Sequence, residues 1–334
     1  MPTISILTCT RNPDPDTLRR VLVGIEALKV PAGWTREFVL VDSASAHPLA
    51  ERAEERLFVE REPWARIVRC EEPGLSVARR AGIAATTGEV LVWFDDDNVP
   101  EPDYLVHVAS AATAHPEVSV WGAGTIVVEY TGPVAHWIER DMRPFFQERA
   151  HGHDEFGRAM TWAPYFPVGS GLVTRRAAAE RWATATTNGR YTLTGRRGEA
   201  LSAGDDAQII FGAVAAGEQV GVVARQALRH LIPPSRCTGD YLARMEFGIS
   251  ASLRIARAEC FPGEASLRGE ADLSLIDAAR AALAALPAHG VIDGPRHARL
   301  ELARRLGAIA GACQADGRPE PEWLRAAVAM LGLR

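Results

Sequence analysis

Leu91-Val92-Trp93-Phe94-Asp95-Asp96-Asp97 carries four consecutive large apolar residues straight into three carboxylates. Successive side chains on a strand point to opposite faces, so an unbroken apolar run predicts a strand covered on both sides, as in a mostly parallel sheet flanked by helices. The pattern recurs upstream. Thr3 to Thr8, Glu37 to Val41, Arg66 to Cys70 and Glu89 to Phe94 read as strands, separated by helical patterns near Thr17 to Leu28, Leu49 to Val59 and Ser76 to Thr86. This βαβαβαβ series predicts a doubly wound α/β core. Ligands of such sheets bind outside the carboxyl ends of the strands, so the turns after each run are the places to look for chemistry. They are Thr8-Cys9-Thr10-Arg11-Asn12, Asp42-Ser43-Ala44-Ser45, Glu71-Glu72-Pro73-Gly74 and the three aspartates.

Downstream, Pro102 to His115 reads as a helix, and Val118 to Tyr130 and Val168 to Arg175 as strands. Between those strands, Gly132 to Pro167 mixes His, Trp, Phe, Pro and Gly without periodicity and reads as a long functional loop holding short helices. Ala207 to Val214 is helical, Gln219 to Leu231 is strand-like, and Pro233-Pro234 makes a break. Beyond it, Asp240 to Cys260, Leu273 to Leu286, Pro295 to Cys313 and Glu322 to Leu331 have helical spacing. The 334 residues therefore divide into an α/β domain at 1–235 and a helical C-terminal extension at 236–334.

Composition prunes the function classes. Lys29 is the one lysine, and it stands in neither a Gly-Lys-Ser/Thr phosphate loop nor a Schiff-base setting, so P-loop and pyridoxal chemistry are excluded. The 37 basic and 42 acidic residues leave a net charge of -5, which offers no global attraction to nucleic acid. Cys9, Cys70, Cys237, Cys260 and Cys313 are odd in number and scattered, which indicates neither a disulfide framework nor a zinc site and suits a reducing cytoplasm. The N-terminus enters strand-like sequence directly, without the basic start and apolar run of a signal peptide, and no uncharged apolar stretch reaches the roughly 18 to 20 residues of a membrane span. The expectation is a soluble cytoplasmic chain that at most rests on the inner face of a membrane.

The carboxylates are the strongest candidates for chemistry. On an extended backbone Asp95 and Asp97 point one way and Asp96 the other, and three like charges at a sheet mouth need compensation from donors or a hard divalent cation. The competing reading is that Asp97 or Asn98 starts the next helix. Asp205-Asp206 after Gly204 can cap a helix, or it can supply a general base, since adjacent carboxylates push one pKa upward. His230 is either a structural hydrogen-bonding residue or a metal ligand. His151-Gly152-His153-Asp154 looks like a metal cluster without a defensible spacing, and a polar loop accounts for it. Gly74-Leu75-Ser76-Val77-Ala78 nearly matches a nucleophile elbow, with Asp205, Asp206 and His230 following in hydrolase order, yet Glu71-Glu72-Pro73 separates it from its strand.

Taken together, these segments resemble family 2 glycosyltransferases of the GT-A fold. Ile4-Ser5-Ile6-Leu7-Thr8-Cys9-Thr10-Arg11-Asn12 is similar to the family's first strand and Thr/Tyr-x-Arg turn, and Val41-Asp42-Ser43-Ala44-Ser45 to its Val-Asp-x-x-Ser. Gly74 to Gly82 resembles Gly-x-Ser-x-Ala-Arg-Asn-x-Gly with Arg80 in place of Asn. Asp95-Asp96-Asp97 matches Asp-x-Asp, Gly169-Ser170-Gly171 the acceptor-side Gly-rich strand, and Gly204-Asp205-Asp206 the Gly-Glu-Asp motif with Asp for Glu. The resemblance covers roughly residues 3 to 232. It implies a nucleotide-sugar half at about 1–100 and an acceptor half at about 101–235. It further implies that Thr8, Thr10, Arg11, Asp42, Arg79, Asp95 and Asp96 serve the nucleotide-sugar, and that Asp97 and Asp95, with His230, hold Mn²⁺ or Mg²⁺. Asp206, beside Asp205, would be the base of an inverting transfer, with Gly169, Ser170, Gly171 and Trp162 on the acceptor side and Tyr165 and Trp137 as further stacking candidates. The implied donor is a UDP-sugar first, a GDP- or dTDP-sugar next. The implied acceptor is a glycan, a lipid-linked molecule or a small molecule in bacterial glycan or glycoconjugate synthesis. Nucleotidyl transfer and non-catalytic sugar-nucleotide binding are the rival readings. The Arg-rich helical tail is expected to pack on the core, form a homodimer or touch a membrane peripherally.

Overall fold

The computed structural model describes residues 1–195, 204–263, 274–284 and 290–334. The first half follows the predicted alternation: β1 (Thr3–Thr10), α1 (Pro15–Glu26), β2 (Thr35–Ser43), α2 (Ala53–Arg61), β3 (Ala65–Cys70), α3 (Leu75–Ala84) and β4 (Val90–Trp93). Next come β5 (Asn98–Pro100), α4 (Tyr104–Ala114), β6 (Val118–Tyr130), α5 (His136–Asp141), β7 (Arg149–Ala150), β8 (Glu155–Gly157), β9 (Leu172–Arg175), α6 (Arg176–Thr187), α7 (Asp205–Ala215) and β10 (Gln219–Ile232). The C-terminal helices are α8 (Gly239–Cys260), α9 (Leu275–Ala284), α10 (Gly290–Ala315) and α11 (Glu322–Met330). Both ends of the helix expected over Leu273 to Leu286 lie outside the described residues.

The ten described strands form one sheet in the order β3-β2-β1-β4-β9-β6-β10-β5, with β7 on β6 and β8 on β10. β3, β2, β1 and β4 are mutually parallel, as are β6 and β10, while β9 runs antiparallel between β4 and β6. The period of two explains the apolar runs. Ile4, Ile6, Phe38, Leu40, Val90, Val92 and Phe94 join one core with α1, α2 and α4. Leu7, Val39, Val41, Leu91 and Trp93 turn the other way, into a second core with α3, α6, α7 and α8. Each strand is thus a two-sided wall, and its only open end is the turn that follows it.

Three expectations are corrected. The Gly132 to Pro167 segment is not only loop and helix: β7 pairs with β6 and β8 with β10, and strands of two and three residues are too short to show alternation. The strand read from Val168 begins at Leu172, because the residues before it turn toward the carboxylates. α6 and β5 were not foreseen. The latter pairs antiparallel with β10, setting Asn98 opposite His230.

Glu37 on β2 ties the parallel half together. It accepts from the Ser5 hydroxyl at 2.7 Å, the Thr87 and Gly88 N–H groups at 2.6 and 3.1 Å, and the Arg66 guanidinium at 2.8 Å. Burial alone would raise its pKa, but these donors outweigh burial and hold it at about 2 against an ordinary 4.5. A folded pKa below the unfolded one stabilises the protein above pH 4.5, and that stability is lost as pH falls toward 2. Glu37→Gln is therefore expected to cost about 2 kcal/mol at neutral pH. Urea titrations should show the gap to wild type closing as pH drops through that window; a gap independent of pH would refute the assignment.

Candidate active site

A cavity of about 620 Å³ opens where the carboxyl ends of β1, β2 and β4 meet the turn before β9, the start of α7 and one face of α8. Its size suits a ligand site. Thr10, Arg11, Arg79, Asp95, Asp96, Asp97, Trp162, Gly169, Ser170, Asp205, Asp206 and His230, all predicted from sequence, line it.

At the β4 end, the Thr10 hydroxyl donates to Asp96 across the parallel strands. Burial, and then the charge of Asp97, push the Asp96 carboxyl up to about 6. Asp97 is 6% exposed and is heavily engaged. The Arg236 guanidinium donates to Oδ2 at 2.5 Å, the Asn98 amide donates to Oδ1 at 2.8 Å, and His230 Nε2 stands 3.5 Å from Oδ1. The β5–β10 pairing makes this possible, since the Leu231 N–H donates to the Asp97 carbonyl at 2.8 Å. His230 Nδ1 lies 2.9 Å from the Phe146 carbonyl, which can only accept, so the proton sits on Nδ1. Burial would lower the His230 pKa, but Asp97 outweighs it and raises it.

At the far wall, Asp205 and Asp206 open α7. Asp205 is paired with Arg79 at 2.7 Å, their side chains 4% and 5% exposed. Asp206 Oδ1 accepts from the Ala207 N–H at 2.8 Å, while Oδ2 lies 3.0 Å from where a Cβ on Gly169 would stand, so a side chain there would press on the carboxylate. Burial first, and Asp205 second, raise the Asp206 pKa against the pull of Arg79. Ser170 N–H donates to Gln147 Oε1 at 3.3 Å, and Gln147 is held at φ 70°.

Three predicted residues stand behind the wall rather than on it. Asp42 is fully buried, and its carboxylate accepts from the Ser45 and Leu49 N–H groups and from Arg69, so it shapes the turn after β2. Thr8 is also fully buried, and its hydroxyl has no hydrogen-bond partner among the described residues. Gly171 adopts φ +70°, and its carbonyl accepts from Tyr104 at 2.5 Å. Trp162 is 41% exposed at the rim and packs edge-on against Phe166 and Phe211. Trp137 lies in a separate cluster with Ile138 and Met142, and the Tyr165 hydroxyl accepts from the Ala159 N–H; neither lines the cavity.

Several lining residues escaped sequence reading, among them Asn12, Gln147, Arg236 and the α8 residues Met245, Ile249 and Leu253. Only Asn12 had a local signal, its place in the turn after β1, where its side chain accepts from the Ala46 N–H and its own N–H donates to Ser45. Arg236 follows the Pro233-Pro234 break that was read as a boundary.

The hydrolase and metal-cluster readings dissolve. The buried Ser76 hydroxyl donates to the Leu193 carbonyl at 3.2 Å, and His230 is committed to Phe146 and Asp97. His151 pairs with Glu155 at 3.4 Å, and Asp154 accepts from the Ala224 N–H, bracing β8 and β10. Arg80 donates to Thr187 on α6 and does not line the cavity.

A divalent cation at Asp97 is the cofactor that the fold implies. The carboxylates of Asp95 and Asp97, and Nε2 of His230 once it has given up any proton it shares with Asp97, suit a hard or borderline ion in kind. Among the described residues, however, no three His, Cys, Asp or Glu side chains are gathered as a ready ligand group, and Arg236 holds Asp97 Oδ2. The residues fit such an ion chemically once Arg236 gives way.

Residues 5–182, just over half of the chain, match Glycosyl transferase family 2. The chain belongs to this family and is a glycosyltransferase. Its fold is that of GT-A enzymes. The mannosyltransferase PcManGT from Pyrobaculum calidifontis, solved in complex with GDP-Man and Mn²⁺, aligns with a TM-score of 0.51 at 18% identity over 100% of this chain and 81% of that one. TarS 1-349 of S. aureus aligns with a TM-score of 0.46 at 13% identity over 96% and 93% of the two chains. The uncharacterized protein y4gI of Sinorhizobium fredii is 31% identical over 120 residues, or 36% of this chain. The match spans only 13% of that relative's length.

Removing one partner of a buried ion pair strands the other charge. Arg79→Met and Asp205→Asn are each expected to cost about 3–5 kcal/mol. A double-mutant cycle in urea should give a combined loss well below the sum; strict additivity would show that the pair is uncoupled.

Proposed function

We propose that the cavity transfers a sugar from a nucleoside-diphosphate donor to an acceptor hydroxyl with inversion at the anomeric carbon. The observation that carries this reading is the convergence, in one cavity, of Asp95, Asp96 and Asp97 after β4 with Asp206 at the start of α7. The donor lies over the carboxyl ends of the parallel strands, its nucleoside against Thr10, Arg11 and Asp95, with Thr8 and Asp42 shaping these turns from behind. Arg79 and Arg236 set positive charge around the diphosphate. Asp97 and Asp95, with His230, would hold Mn²⁺ or Mg²⁺, which when bound supplies charge compensation for the departing diphosphate. A UDP-sugar is the first donor to test and GDP- and dTDP-sugars the next; the GDP-Man and Mn²⁺ held by the mannosyltransferase of like fold support this general kind of ligand.

Asp206 accepts the proton of the acceptor hydroxyl as its oxygen bonds to the anomeric carbon and the bond to the diphosphate oxygen breaks. One displacement inverts the centre. A raised pKa makes Asp206 a better proton acceptor than an ordinary carboxylate. Gly169, Ser170 and Trp162 face the acceptor, with Gly171 packed behind them. The acceptor is a glycan, a lipid-linked molecule or a small molecule, and the product serves bacterial glycan or glycoconjugate synthesis. Among the described residues no helix is long and apolar enough to cross a membrane. We place the enzyme in the cytoplasm or at the inner membrane face, with donor and acceptor halves meeting near residue 100 and peripheral or homodimer contact made by those faces of the helices beyond residue 235 that are not packed on the core.

Thermal unfolding with UDP, GDP, dTDP and CDP, each with and without Mn²⁺ or Mg²⁺, tests the donor side. One nucleotide is expected to stabilise the protein in a cation-dependent way, and Asp97→Ala to abolish that dependence. A cation-independent response in both proteins would remove Asp97 as a ligand. Asp206→Asn is expected to keep nucleotide binding while transfer falls by about 10²–10⁴. The acid limb of the wild-type kcat/KM profile should lie above the ordinary carboxylate range, because only ionised Asp206 accepts a proton. Retained turnover in Asp206→Asn would eliminate it as the base.

A further inference from the structure

The wall contributed by α8 differs from the rest of the cavity. Its lining residues are Met245, Ile249 and Leu253, four apart on one face of the helix, and no charged residue of α8 joins them. At 1.5 Å per residue this aliphatic stripe is about 12 Å long. The other sides of α8 are committed. Ala243 and Phe247 pack with α10, where Gly307 and Gly311 let the two backbones approach; Ile255, Ala256 and Cys260 enter the sheet-side core; Leu242 joins the cluster around α5. Of the stripe itself, Met245 is buried and Leu253 also touches the sheet-side core, so the cavity meets their remaining surface together with Ile249.

The stripe lies beside the base. Ser252 packs against Gly204, whose φ of +132° and missing side chain permit the contact: a Cβ there would stand 2.7 Å from Ser252 Cβ. Asp206 is two residues further on. Trp162, at the rim, adds an apolar surface, and the loop carrying it is tied to α8 through Arg257, which donates to the Met160 carbonyl at 3.1 Å. The polar and charged groups of the cavity come from the sheet turns, the 147–170 segment, α3, α7, His230 on β10 and Arg236. A polyhydroxyl chain laid on Met, Ile and Leu would leave its hydroxyls without partners, whereas an alkyl chain there removes two apolar surfaces from water.

We propose that α8 forms an acceptor subsite for an aliphatic chain: the acceptor is an amphiphile that presents its hydroxyl to Asp206 and lays hydrocarbon along Met245, Ile249 and Leu253. This rests on the sugar-transfer reading above and narrows its acceptor. The test is calorimetric titration of the full chain with butyl, hexyl and octyl β-glucosides below their micellar concentrations, with cellobiose as the chain-free reference. Affinity is expected to rise with chain length by up to about fourfold per methylene. Ile249→Asn should flatten that rise. Ile249→Trp, which stays apolar and so preserves the fold, should cut it off at a shorter chain. Affinity independent of chain length, an unchanged slope in both variants, or cellobiose binding as tightly as the octyl glucoside would overturn the proposal. UDP and GDP titrations with Mn²⁺ on the same samples separate the two readings. A chain-length slope without nucleotide binding counts against the donor site alone, and nucleotide binding without the slope counts against the α8 subsite alone.

Discussion

Arg79 and Asp205 meet 126 residues apart in sequence, at 2.7 Å and almost wholly out of water. Neither charge is stable there alone, because desolvation of an isolated buried ion exceeds what the surrounding dipoles return. The pair therefore obliges α3, which links the parallel strands β3 and β4, to sit against the start of α7, which follows the antiparallel strand β9. Asp206 shares the first turn of α7 with Asp205, so locating one locates the other. The Arg79 charge is also directed: it is held by Asp205 while still lining the cavity.

The same electrostatic logic governs the opposite wall. Asp95, Asp96 and Asp97 leave a strand buried on both faces, and their repulsion is met by different devices at Asp96 and at Asp97. Thr10 donates to Asp96, and Asp97 draws Asn98, His230 and Arg236. The last two arrive because β5 pairs with β10, bringing a histidine from the final strand of the sheet to the turn after β4. Arg236 thus supplies the positive charge at Asp97 Oδ2 while it also lines the cavity.

Much of this was legible because its causes are local. Runs such as Leu91 to Phe94 are buried on both faces by the period of the strand, and the turns after them must then be the open ends. Asp95, Asp97, Asp205 and Asp206 declared themselves as charges beside apolar runs. Their partners did not. Nothing around Arg79 in sequence points to Asp205, and Arg236 sits beyond a Pro-Pro break that resembles a boundary. Asp42 misled for the opposite reason. Its motif position is right for a ligand contact, yet its oxygens are taken by Ser45, Leu49 and Arg69, so it shapes the pocket without lining it. β7 and β8 left no trace because two or three residues cannot display a period.

The helical extension was the least legible part, and its first helix carries the acceptor argument. Helical spacing identifies α8 but cannot say which of its faces meets which neighbour, since Met245, Phe247, Ile249 and Leu253 look alike in a periodic pattern. Distinguishing them requires knowing that α10 claims Phe247 through the close approach at Gly307, and that α7 meets Ser252 at Gly204. Once those two contacts are set, Met245, Ile249 and Leu253 are brought to the cavity, with Leu253 also touching the sheet-side core. The site is then composed of unlike halves: a charged wall built by the sheet turns and α7, and an aliphatic wall built by a helix that the sheet itself does not require. The two walls meet at Gly204 and Ser252 close to the base, and again a turn further along, where Gln208 donates to Glu259 at 2.6 Å, so α7 and α8 are fixed to each other at both ends of their contact while the stripe itself takes no part in the strand register that places the carboxylates.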